Sequence, residues 1–211
     1  MSYTYPFPRP ALTVDVALFC ARPEGLGVLL IRRGREPFKG AWALPGGFVD
    51  QDEDLSAAAS RELLEETGLE AELGPQLGAY GAPGRDPRGH TVSVVYLAWS
   101  AGGAVPVQGR DDAVEATWHD ARKPPRLGFD HARVLRDAVA ELEARADRGL
   151  DALLPFMPRT FEVGAVRDLC LAACRPGSTA PSDQRLRSGL RAHPSVRELA
   201  RRTGKLTFRK R

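Results

Sequence analysis

The 211 residues are 43% hydrophobic and 27% charged with a net charge of +3, a composition of folded, water-soluble chains that excludes a low-complexity polymer. No apolar run approaches the length of a membrane span and no basic-then-apolar leader opens the chain, so a cytoplasmic protein without membrane partners is expected. Three cysteines, Cys20, Cys170 and Cys174, are too few and odd in number for a disulfide framework and are expected as small buried side chains.

Residues 1–10 are aromatic and proline-rich, an extended arm. Leu12 to Phe19 alternates and predicts a strand; Leu26 to Arg33 predicts a second, turned by Pro23-Glu24-Gly25. Residues 33–40 form a loop, and Ala41 to Leu44 a short strand. Pro45-Gly46-Gly47 reads as a turn leading to a helix that Gly68 ends with a left-handed cap. Strands follow at Glu72 to Tyr80, Thr91 to Trp99 and Val114 to Trp118, with a polar loop, GAPGRDPRG, at 81–89. Apolar residues at Ala132, Leu135, Val139 and Leu142 predict a long helix over Phe129 to Arg148, stopped by Gly149. Trp42, Phe48 and Trp118 are expected in the core. The alternation of strands and helices predicts an α/β fold: a mixed sheet with helices on both faces.

A domain boundary is placed at 148/149. Residues 149–211 hold 13 Lys and Arg against 5 Asp and Glu, whereas residues 1–148 hold 17 against 22. After the prolines of 150–158 come helices at Val163 to Cys174 and Asp183 to Ala192, the second capped by Ser182 or Asp183. Val196 to Ala200 and Lys205 to Arg209 could pair about Thr203-Gly204. This order fits a small, basic winged helix-turn-helix. Arg185, Arg187, Arg191 and Lys205 are its candidate DNA contacts, with Arg201, Arg202, Arg209, Lys210 and Arg211 available to the phosphate backbone of double-stranded DNA.

The chemistry concentrates between residues 46 and 69. At 100° per residue, Glu62, Glu65 and Glu66 share one helical face, and like charges so close repel. Ala58, Ala59 and Leu55 continue that face, so it packs rather than floats in solvent. The glycines before the helix allow close backbone approach, so a carbonyl can join the carboxylates. Hard oxygen donors of this kind suit Mg²⁺ or Mn²⁺.

Gly47, Glu53 and the run Arg61-Glu62-Leu63-Leu64-Glu65-Glu66-Thr67-Gly68-Leu69 match the Nudix box, G-x5-E-x7-R-E-U-x-E-E-x-G-U, at every fixed position. The chain thus resembles the Nudix hydrolases, which implies an α/β/α sandwich and metal-assisted hydrolysis of a diphosphate. The resemblance makes Gly46, Glu62, Glu65 and Glu66 the metal ligands, and Glu62, Glu65 and Arg61 the catalytic group. Glu115, beside Asp111 and Asp112, is a further candidate acid. Arg85-Asp86-Pro87-Arg88 and Gly128-Phe129-Asp130-His131 resemble the ADP-ribose pyrophosphatases and their regulator relatives in NAD metabolism. Arg32, Arg85, Arg88 and His131 are the candidate substrate contacts. Two roles follow: a pyrophosphatase splitting ADP-ribose or another nucleotide derivative, and a homodimeric DNA-binding regulator that senses such a ligand.

Overall fold

The computed structural model describes residues 6–107, 109, 113–175, 178–179, 181–199 and 206–210. Two long strands form its spine: β1 (Ala11–Arg22) and β6 (Thr91–Ser100) run parallel in unbroken register from Ala11↔Thr91 to Cys20↔Ser100. β2 (Gly25–Arg33) returns antiparallel to the end of β1, and β7 (Ala113–Asp120) pairs antiparallel with β2. β5 (Leu73–Tyr80) lines the other side of β6. β3 (Trp42–Ala43) pairs with the end of β2, and β4 (Gly46–Phe48) with the start of β1. The segment read as a turn from its glycines is therefore a short strand. Pairing with Thr13, Val14 and Asp15 holds it extended, a long-range effect that local composition does not carry.

Side-chain alternation along β1 divides the core. Val14, Val16 and Leu18 meet Ala58, Ala59 and Leu63 of α1 (Leu55–Thr67) on one face. Ala17 and Phe19 point to the other face, with Val134, Leu135 and Leu142 of α2 (His131–Arg148). Burial on both faces explains why β1 is apolar almost throughout. The mixed α/β sandwich expected from the sequence is present.

Beyond Gly149 come α3 (Leu150–Leu153), a 3-10 turn at Leu154–Phe156, β8 (Thr160–Glu162), α4 (Val163–Ala173), α5 (Asp183–Ala192), β9 (Val196–Glu198) and β10 (Thr207–Lys210). The last three strands form an antiparallel sheet in the order β8-β10-β9. Its pairing of β9 with β10 agrees with the expected hairpin; Thr203, Gly204 and Lys205 lie outside the described residues, as do Asp111, Asp112, Arg201, Arg202 and Arg211. β8 was not foreseen: three residues after Pro158 are too few to show a period. α4 packs against β1 and β2, and Val166, Leu169, Cys170, Leu186 and Phe208 belong to the same apolar cluster as Phe19 and Leu135. All three cysteines are free; Cys20 and Cys170 are buried as expected, and burial pushes their thiols up to about 12 and about 11, whereas Cys174, at the end of α4, is only half-buried. Among the described residues no helix is long and apolar enough to cross a membrane.

Candidate active site

Local capping places the acidic helix. Asp54 accepts the backbone N–H of Ser56 at 2.8 Å, and Gly68, at φ 71°, donates its N–H to the Leu64 carbonyl. These caps satisfy backbone groups that the helix ends would otherwise leave unpaired, and they fix which face α1 presents. Immediately before the cap, Glu53 accepts the Asp50 N–H.

The like charges on that face are reconciled by Arg61. Its Nε and Nη2 each donate to Glu53 at 2.8 Å, Nη1 donates to Glu62 at 2.8 Å and to Glu65 at 3.1 Å, and Nη2 also reaches the Phe48 carbonyl. The hydrogen bonds from Arg61 hold the Glu53 carboxyl down to about 2. Glu62 lies directly against the β4 backbone: a Cβ on Gly47 would fall 2.5 Å from its carboxyl carbon, so any larger residue there pushes the carboxylate aside. Gly46 adopts φ 155°, and a Cβ there would strike the Val14 carbonyl.

Glu66 is 5% exposed and accepts the Gly46 N–H at 2.9 Å. Burial, reinforced by the negative charges of Glu62 and Asp15, pushes its carboxyl up to about 8. Burial also raises Glu62. Two carboxylates that resist ionisation, next to a third, form a site short of positive charge. That donor chemistry fits a hard divalent ion. Among the described residues the acids do not close into a three-ligand cage, because Arg61 stands between Glu62 and Glu65.

Beneath β4 lies a second, buried network. Ser93 donates its hydroxyl to Asp15, Arg85 makes a two-pronged pair with Asp130 at 2.7 and 3.1 Å, and its guanidinium is 3.9 Å from Asp15. His131 Nδ1 accepts the Leu44 N–H at 3.0 Å, which leaves the proton on Nε2, 3.6 Å from Asp15. Burial, with the Arg85 and Arg33 charges, holds His131 below its usual value against the opposing pull of Asp15 and Asp130. Of the four expected substrate contacts, Arg85 and His131 are thus buried, forming the floor of a recess that also includes Asp15, Arg33, Gly46 and Phe129. Arg88 is tied to Asp86 by paired bonds of 3.1 and 2.7 Å and remains partly exposed. Arg32 donates to the Gly40 carbonyl and stands 3.8 Å from Glu115; both are exposed.

Aromatic rings surround the mouth. Phe38 meets the Phe129 ring edge-on at 4.7 Å, and both residues take positive φ, 62° and 51°. The Arg33 guanidinium lies 4.8 Å from the Phe129 centroid, and that of Arg88 lies 4.9 Å from Phe48 and 5.9 Å from Phe129. Phe48, expected in the core, is 46% exposed because β4 is an edge and its outward residue has no layer above it. Trp118 donates its indole N–H to the Val105 carbonyl, and Trp42 packs on His119. The sequence signal for the missed Asp15 is an acid inside a strand of otherwise apolar residues.

A helix of carboxylates ordered by one arginine, laid against a glycine strand at the edge of a mixed sheet, is the arrangement that the Nudix box sequence predicts. The NUDIX domain profile matches residues 11–138, and the chain belongs to the Nudix family, as a Nudix pyrophosphohydrolase. An ADP-ribose pyrophosphatase of Methanocaldococcus jannaschii is 46% identical over 129 residues, 61% of this chain and 73% of that protein. The ADPR responsive transcriptional repressor NtrR of Acinetobacter baylyi is 37% identical over 167 residues, 77% of this chain and 66% of the repressor. Among solved structures, Shewanella oneidensis NrtR matches 95% of this chain and 94% of its own length, with a TM-score of 0.72 and 26% identity.

Proposed function

We propose that this chain hydrolyses ADP-ribose to AMP and ribose 5-phosphate, with Mg²⁺ or Mn²⁺ held by Glu62, Glu65, Glu66 and the Gly46 carbonyl. The observation that carries this reading is the convergence of Glu53, Glu62 and Glu65 on Arg61 beside Gly47, with Glu66 clamped to Gly46 one helical turn away. When bound, the ion would neutralise charge developing on the diphosphate and make water more acidic. The chain's own part is to hold the acids still. Arg61 fixes three of them, and Gly46 N–H fixes the fourth.

Arg33 and Arg88 offer guanidinium groups to a diphosphate at the recess mouth, and Phe48 offers an exposed ring to a nucleobase. The recess itself encloses only about 40 Å³, against ~300–1,000 Å³ for a pocket that swallows a ligand, so the nucleotide rests across its mouth. ADP-ribose is favoured among nucleotide derivatives by the pyrophosphatase from M. jannaschii and the ADPR responsive repressor. A substrate panel of ADP-ribose, sugar nucleotides, dinucleotide polyphosphates and oxidised nucleotides, assayed with Mg²⁺ for AMP release, tests the assignment. Fastest turnover of ADP-ribose supports it, and faster turnover of another member replaces it.

A second reading has its own observation. β8, α4, α5, β9 and β10 follow the order of a winged helix, with α5 as its basic helix. We therefore propose that residues 149–211 form a DNA-binding unit of a homodimer and that nucleotide occupancy alters its affinity for operator DNA. A salt-dependent gel shift on upstream DNA, with and without ADP-ribose, tests this. A shift indifferent to the nucleotide removes the sensing role.

A further inference from the structure

Two of the three arginines on α5 are already committed. Arg191 pairs with Glu198 at 2.7 Å, and Arg187 stands 4.0 Å from Asp183. The small sheet behaves differently. Arg159, just before β8, Arg197 on β9, and Arg209 and Lys210 on β10 together line a hollow of about 370 Å³, and they are all of its lining among the described residues. Arg197 and Arg209 are direct cross-strand partners, so their side chains leave the same face. Like charges placed opposite each other destabilise a sheet. No carboxylate among the described residues lies within ion-pair distance of Arg159, Arg197 or Arg209. Glu72 accepts the backbone N–H of Arg159 at 3.0 Å and stands 3.7 Å from the Lys210 ammonium.

We propose that this hollow is a phosphodiester site that receives the backbone of duplex DNA, with Glu72 competing for Lys210. The proposal rests on the DNA-binding reading above and moves the main phosphate contacts from α5 to the sheet. Strands lie about 4.8 Å apart, so β8 and β9, on either side of β10, are separated by about 10 Å. Cations spread over that width suit a chain of phosphates better than a single small anion. Glu72 belongs to the segment between α1 and β5, so this acid reaches Arg159 and Lys210 from the part of the chain that carries the carboxylate helix.

The test uses the full chain and a labelled 30-base-pair duplex of arbitrary sequence, titrated at several salt concentrations. Each phosphate neutralised contributes about 0.9 to the slope of log affinity against log salt. The double variant R197S/R209S should lower that slope by about 1.8, R185S/R187S should change it less, and Glu72→Gln should tighten binding about 2- to 3-fold. Arg159→Ser, with an expected loss of about 0.9, answers the same question if the double variant fails to fold. A wild-type slope in both the double variant and Arg159→Ser, with binding intact, overturns the hollow and leaves the DNA-binding reading standing. Absence of duplex binding by the wild type overturns both. Loss of inorganic tripolyphosphate binding in R197S/R209S, with an unchanged duplex slope, overturns the polymer in favour of a small anion.

Discussion

Arg61 and Glu53 face each other in a two-pronged pair, both bonds 2.8 Å, from opposite ends of a loop-to-helix junction eight residues long. That pair leaves Nη1 free to hold Glu62 and Glu65, so one guanidinium sets the position of three acids. Substituting Arg61 by Lys removes the fork while keeping the charge. Activity should fall by about 10- to 100-fold, the usual effect of disturbing a partner of a metal-binding group, with little change in melting temperature. Steady-state AMP release beside thermal melting checks it.

Gly47 gives a sharper steric test. Its missing Cβ is the space in which Glu62 packs, at a projected 2.5 Å. Gly47→Ala should displace the carboxylate and lower kcat by at least ~10-fold, since small misplacements of reacting groups are expensive. Gly84→Ala, at an open left-handed turn, is the control: strained by its φ of 79°, it meets no neighbour within 4 Å and should cost stability but not kcat.

His131 predicts a pH dependence. Its pKa is lowered in the folded chain, so below about 6.5 the unfolded chain binds a proton that the folded chain refuses. Stability contributed by neutral His131 is present above that value and is lost as pH falls towards and below it. Melting temperature should therefore drop between pH 7 and 5, and His131→Gln should flatten that part of the profile. An unchanged slope in the variant would remove His131 as its source.

Leu169 on α4 is fully buried in the cluster that covers β1 and β2. Leu169→Ala should cost about 2–5 kcal/mol. Because the cluster is continuous, denaturant unfolding should stay a single transition. Cutting the chain at 149 would uncover the sheet face under α4, so point substitutions are the cleaner probes of the C-terminal segment.

What the sequence made legible was local. α1 was readable because its period and its Gly68 cap act within a few residues, and the i, i+4 spacing that puts Arg61 beside Glu65 is met by a 3.1 Å contact. The long strands showed themselves through apolar runs. Less visible were relationships made by pairing across the chain. Asp15 meets Ser93 over 78 residues, Arg85 meets Asp130 over 45, and β4 is extended only because β1 lies beside it. Phe48 was misplaced for the same reason: an aromatic next to a glycine pair says nothing about whether its strand is an edge. Arg33 and Phe38 drew no notice, and Phe129 only as part of a motif, because their roles depend on two loops closing on one another.

The most direct test of the account is ADP-ribose hydrolysis by Glu65→Gln beside the wild type, each titrated with Mg²⁺ and Mn²⁺. The wild type should release AMP and ribose 5-phosphate only when a divalent ion is present, and the variant should lose at least ~100-fold in kcat/KM while melting normally. Equal turnover by the two proteins, or wild-type turnover that persists in excess chelator, would contradict it.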